Sequence, residues 1–92
     1  MSPASNETKT ARWVDGSAIY GAGSVKLVTA KGATVARVRA PFHGQTSWYY
    51  VAGRATGGRC PSRERGVDAC ERWARRRGYT VENKASEVVE CP

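Results

Sequence analysis

The sequence predicts a small α+β domain: an antiparallel β-sheet of three to five strands with one amphipathic helix packed on one face. Three observations carry this expectation. Short runs rich in β-branched and aromatic residues are punctuated by Asp-Gly, Lys-Gly and glycine-rich breaks, the pattern of half-buried strands joined by turns. One later stretch has apolar residues at helical spacing and closes on a glycine. Finally, 92 residues suit a single domain with a modest core, and three Trp and four Tyr supply burial units worth roughly 2 to 3 kcal/mol each when enclosed.

Taken in order, residues 1–10, MSPASNETKT, are small, polar and unpatterned, and read as an N-terminal tail ahead of a domain over 11–92. Residues 12–14 and 19–20 are short β-prone pieces separated by the turn dipeptide Asp15-Gly16. Residues 24–30 place Val25 and Leu27 on one side, Lys31-Gly32 makes a tight turn, and residues 34–40 return with a second alternation. On that returning strand Val35, Arg37 and Arg39 share one side while Thr34, Ala36, Val38 and Ala40 share the other, because side chains alternate with period two. Residues 41–45 read as a loop.

Residues 47–53 have the highest β-propensity in the chain and carry aromatic groups on both faces, Trp48 and Tyr50 on one and Tyr49 on the other. Residues 53–62, GRATGGRCPS, hold too much glycine for a regular element and read as a surface loop. The helix is expected near 67–77, capped by Ser62 or Gly66 and ended by Gly78, with Val67, Ala69, Cys70, Trp73 and Ala74 as its apolar face. Residues 79–82 and 86–91 read as two final short strands forming a hairpin or the sheet's edge.

The net charge of +7 is concentrated in the middle of the chain, with +4 over 31–58 and +4 over 59–78 against −2 over 79–92. Eleven of the fifteen basic residues are arginine, whose planar fork matches phosphate and carboxylate oxygens. An anionic partner is therefore expected. Three cysteines, Cys60, Cys70 and Cys91, cannot all pair within one chain, and no charged-then-apolar leader precedes them, which points to a reducing cytoplasm. No run approaches the roughly 18 apolar residues that span a bilayer. A membrane partner is not expected.

The candidate binding residues are Arg37, Arg39, Tyr49, Arg54 and Arg59, because guanidinium groups neutralise phosphates and flat rings accept stacked bases. Arg72 and Arg76 form one ridge of the helix and add a second basic strip. Much of the helix charge is expected to be self-satisfied through the pairs Asp68 with Arg72 and Glu71 with Arg75 at i and i+4. The competing explanation of these arginines is a solvated surface, with the aromatics as core.

Gly53 to Arg59 is a weak phosphate loop that lacks nucleotide-binding spacing, as does Gly21-Ala22-Gly23-Ser24; a plain connection accounts for both. A lone His43 with three scattered cysteines offers little for zinc, and Cys70 reads as a buried small hydrophobe. A nucleophile built from Cys60 and His43 has no third orienting group. No cofactor, metal or catalytic role is expected.

In element order, a three-stranded piece followed by a helix is similar to the arm-type DNA-binding domains of phage integrases. The similarity covers about half the chain and consists of element order alone. It implies a sheet that presents Arg37 and Arg39 to a groove. The leading expectation is a small, basic, non-catalytic protein that binds DNA or RNA. The alternative is a small inhibitor or adaptor of the phage counter-defence type, anti-CRISPR-like, docking on an acidic protein or nucleoprotein surface.

Overall fold

Alternating side chains give each strand two faces, and the register of the strands decides which residues share one. The computed structural model describes residues 9–41 and 44–88. Its strands are β1 (Lys9–Asp15), β2 (Val25–Thr29), β3 (Thr34–Arg39), β4 (Trp48–Ala52), β5 (Thr56–Cys60) and β6 (Tyr79–Val81), in one sheet of order β5-β4-β3-β2-β1-β6. A four-residue helix α1 (Ser17–Tyr20) lies between β1 and β2, and α2 (Arg63–Arg76) between β5 and β6. A 3-10 turn (Ala85–Glu87) follows β6.

The α+β class is as expected, with one main helix, but the sheet is larger and mixed. It has six strands, and β6 joins the edge of β1 in parallel, with Lys9 opposite Tyr79 and Ala11 opposite Val81. A parallel edge needs a crossover, and α2 supplies it. Of the two outcomes expected for 79–91, β6 takes the sheet's edge and no final hairpin forms among the described residues; 89–91 lie outside them. Past β6, the Glu82 N–H donates to the carbonyl of Ala11 at 2.9 Å. The Asn83 side chain then takes over, accepting from the Trp13 N–H at 2.7 Å and donating to the Trp13 carbonyl at 3.0 Å.

Three further expectations change. Lys9 and Thr10, read as tail, open β1; the rest of that segment, 1–8, lies outside the described residues. Residues 19–20 end a helical turn rather than a strand, because Asp15 accepts from the Ser17 N–H and hydroxyl at 3.1 and 2.9 Å and starts a turn at Gly16. Half of the expected glycine loop over 53–62 is strand: β5 pairs along its whole length with β4, from Ala52 opposite Thr56 to Trp48 opposite Cys60. A Cβ at Gly57 would sit 2.8 Å from the Tyr50 carbonyl oxygen, so the ladder at this point requires the residue whose abundance argued against a strand.

The helix starts four residues earlier than expected, at Arg63, and Ser62 is its cap, accepting from the Arg65 N–H at 3.3 Å. Gly66 is instead inside the helix, where it faces the sheet. A Cβ there would lie 2.9 Å from Val38 Cγ1 and 3.0 Å from Cys60 Sγ, so glycine sets how closely α2 can seat. Gly66, Cys70 and Ala74 form the buried ridge, with Val67 and Trp73 packed beside it.

Beneath that ridge the core is Ala11, Trp13, Val25, Leu27, Ala36, Val38 and Ala52, all on one face of the sheet. Trp48 and Tyr50 pack on the same side. Trp13 is the largest buried side chain, and its indole N–H donates to Glu71 on α2 at 2.9 Å. Glu71 also meets Arg75 at 3.4 Å, while the expected Asp68 to Arg72 pair is not formed among the described residues.

Candidate functional site

With α2 on one face, the other face of the sheet carries the opposite set of alternating residues. Register brings Arg39, Tyr49 and Arg59 into one row across β3, β4 and β5. The next row holds Val14, Lys26, Arg37, Val51 and Gly57 across five strands, and Arg12 with Val28 lies one row further on. Five cations thus share this open face. Between Asp15 and Glu64 the sequence contains no acidic residue, so strands β2 to β5 contribute no carboxylate to offset them.

The aromatic groups on this face are held by those cations. The Arg39 guanidinium sits 5.9 Å from the centre of the Tyr49 ring, and Arg59 Nε donates to the Tyr49 hydroxyl at 3.3 Å. That hydrogen bond raises the already high pKa of Arg59. The Arg37 guanidinium lies 5.5 Å from the centre of the Tyr20 ring. Arg37 Nε is buried and meets no acceptor among the described residues. Both rings are therefore fixed in orientation and flanked by positive charge.

Tyr20 reaches the face because α1 is anchored at both ends. The Ser24 hydroxyl, fully enclosed, donates to the Tyr20 carbonyl at 3.0 Å and accepts from the Ala40 N–H at 2.8 Å, tying α1 to the end of β3. On the other side of the molecule Arg63 fixes the following loop, donating to the carbonyls of Gly23 and Ala85, each at 3.0 Å.

Of the residues expected from the sequence, Arg37, Arg39, Tyr49 and Arg59 come together. Arg54 does not: it lies exposed in the tight connection after β4, at the opposite end of the β4 to β5 ladder from Tyr49 and Arg59. Arg72 and Arg76 are exposed on α2, across the sheet from the basic face. Lys26, Arg12 and Tyr20 join the open face from outside the expected set. Strict alternation against Val25, Leu27 and Trp13 would have placed Lys26 and Arg12; nothing local in the sequence marks Tyr20.

At one end of the face, Gly44, Gln45, Thr46 and Ser47 close against Tyr49 and Arg59 around a polar cleft of about 210 Å³. The two described cysteines offer no reactive counterpart. Cys60, expected in a loop, is the buried last residue of β5, and Cys70 is buried under α2 with its thiol 3.8 and 3.9 Å from the carbonyls of Arg37 and Val51. Burial raises the pKa of both thiols, that of Cys70 to about 12. His43 lies outside the described residues, and among those described no cluster of His, Cys, Asp and Glu could hold a metal ion. No described helix is long and apolar enough to cross a membrane. No protein family, curated protein or solved structure matches this chain.

Proposed function

We propose that this chain is a small, non-catalytic nucleic-acid-binding protein and that the open face of its sheet is the binding surface. The observation that carries the reading is the row Arg39, Tyr49, Arg59 beside Arg37 and Lys26: cations at phosphate-binding density, interleaved with oriented rings, on strands with no acid among them. Guanidinium groups in this setting displace the counterions of a phosphate backbone, and the rings offer stacking surfaces. The helix strip of Arg72 and Arg76 faces the other way, so one short ligand does not reach both.

The test is a fluorescence-anisotropy titration of a labelled oligonucleotide over a range of salt. Arg37→Ala with Arg39→Ala should weaken binding and flatten the dependence of log affinity on log salt by about 1.4 to 1.8, since each lost phosphate contact removes about 0.7 to 0.9. Arg72→Ala with Arg76→Ala should change neither by a comparable amount. Equal effects of the two pairs, with both variants folded, would refute the assignment to the open face; absence of binding at micromolar protein and low salt would refute nucleic-acid binding altogether.

The alternative, an inhibitor or adaptor docking on another protein, draws support from Ile19. It is 65% exposed on α1 next to Tyr20, and exposed apolar residues of that size are common in interface cores. A protein partner retained stoichiometrically after nuclease treatment would select that reading.

A further inference from the structure

Duplex and single-stranded nucleic acid make different demands on a protein surface. The major groove of B-DNA is about 12 Å wide and admits a helix or a two-stranded ribbon. Six strands about 4.8 Å apart make a face about 24 Å across, too broad to enter it. A single strand asks instead for a track of cations with exposed rings along it. From Arg59 through Arg39, Arg37 and Lys26 to Arg12 the cations run diagonally across the strands, a span of about 23 Å at ordinary strand spacing and rise. With a stacked rise of about 3.4 Å per nucleotide as the short limit, that track accommodates about four to seven nucleotides.

The cleft beside Tyr49 gives this track an end. At about 210 Å³ it is smaller than the roughly 300 to 1,000 Å³ of sites that enclose drug-sized ligands, and it suits one ring system. Its lining residues include Gln45, Thr46 and Ser47, whose amide and hydroxyl groups both donate and accept, as the groups that read base edges do. Its wall is the Tyr49 ring, already oriented by Arg39 and Arg59. Phosphates flanking a base in the cleft would meet those same two guanidinium groups.

We infer that the protein binds single-stranded rather than duplex nucleic acid along this diagonal, with one unstacked base seated in the cleft of Gln45, Thr46 and Ser47 against the ring of Tyr49. The inference rests on the nucleic-acid reading above. Whether the strand is DNA or RNA turns on the sugar, and the shared chemistry is a phosphate backbone with splayed bases.

The experiment compares labelled single strands of about eight nucleotides, deoxy and ribo and of each homopolymer sequence that stays single, with a duplex of the same length under the same low salt. The intact chain is used throughout, and each variant is checked for an unchanged melting temperature. A single strand of either sugar should bind at least about tenfold tighter than the duplex. Tyr49→Ala should cost about tenfold or more on the single strand, with most of that loss restored by Tyr49→Phe. Gln45→Ala should alter the ranking among bases while leaving the salt slope unchanged, because it touches no phosphate. Duplex binding as tight as single-strand binding overturns this inference while the broader reading stands. Binding to neither form overturns both. Preferential single-strand binding that is indifferent to Tyr49→Ala and Gln45→Ala overturns the cleft.

Discussion

Replacing Gly66 by alanine sets two effects of opposite sign against each other, and the structure decides between them. In an exposed helix interior the change stabilises by about 1 kcal/mol, because glycine has the greater backbone entropy to lose. At Gly66 the new Cβ would lie 2.9 and 3.3 Å from the two methyl groups of Val38 and 3.0 Å from Cys60 Sγ, against an optimum of about 3.5 to 4.0 Å for carbon contacts. Val38 is wholly buried in β3 and β-branched, so it cannot rotate away, and α2 must lift from the sheet instead. Overpacking of this kind costs about 1 to 3 kcal/mol, and with two side chains in conflict the upper half of that range applies. The net destabilisation is about 1 to 2 kcal/mol, which in a domain of this size lowers the melting temperature by roughly 4 to 16 °C. Calorimetry or thermal circular dichroism measures it, and denaturant titration of Gly66→Ala in a Val38→Ala background tests the cause. Once the valine methyls are gone only the Cys60 contact remains, and the penalty should shrink. A higher melting temperature in the single variant, or the same penalty in the double, would refute the account of how the helix seats.

Glu71→Ala removes the acceptor of the buried Trp13 indole and should destabilise by about 1 to 3 kcal/mol in urea titration, whereas Glu71→Gln keeps an acceptor and should cost only a few tenths, since Arg75 is an exposed partner. Equal costs would mean that the ion pair, not the indole bond, matters. The Cys70 thiol gives a pH signature. Its pKa in the fold is raised by burial from an ordinary 9.0 to about 12, so folded and unfolded chains hold the same proton below pH 9. Above it the unfolded thiol ionises first, and stability should fall by up to about 1.4 kcal/mol per pH unit until the buried thiol also titrates. Subtracting the stability profile of Cys70→Ala isolates this component, and identical profiles between pH 9 and 11 would contradict it.

Much of the open face was legible because alternation is a local property. Once Val25, Leu27, Ala36 and Val38 were assigned to the core, Arg37 and Arg39 had to project the other way, and they do. Val35 departs from that rule: the register slips between Leu27 and Val28, and Val35 packs against the core. What the sequence could not show is pairing. Nothing in WYYVA states which aromatic face a helix will cover, and nothing in TGGRC states that its glycines will be held by the backbone of β4. Pairing is also what separates Arg54 from Arg59, five residues apart in sequence yet at opposite ends of one ladder. Tyr20 is a case of the same kind, placed by the contacts of Ser24 with Tyr20 and Ala40 rather than by its own neighbours.

The open face also carries a local cost that the fold does not require. Lys26 stands directly across from Arg37, and like charges in opposed strand positions destabilise a sheet. Arg37 and Arg39 project from the same side of one strand, and β2 to β5 contain no acidic residue. The rings of Tyr20 and Tyr49 offset part of this, at about 0.5 to 1 kcal/mol for each exposed cation and ring pair. Elsewhere the chain follows the local rules closely: a serine cap with an acid in the first turn and arginines in the last turn of α2, an acceptor for the buried indole, a side chain completing the ladder at Trp13. A sequence consistent at those levels and inconsistent on one surface marks that surface as the place to look for function. On the proposed reading, the crowded guanidinium and ammonium groups would be relieved by an array of anions at similar spacing, which a phosphate backbone supplies.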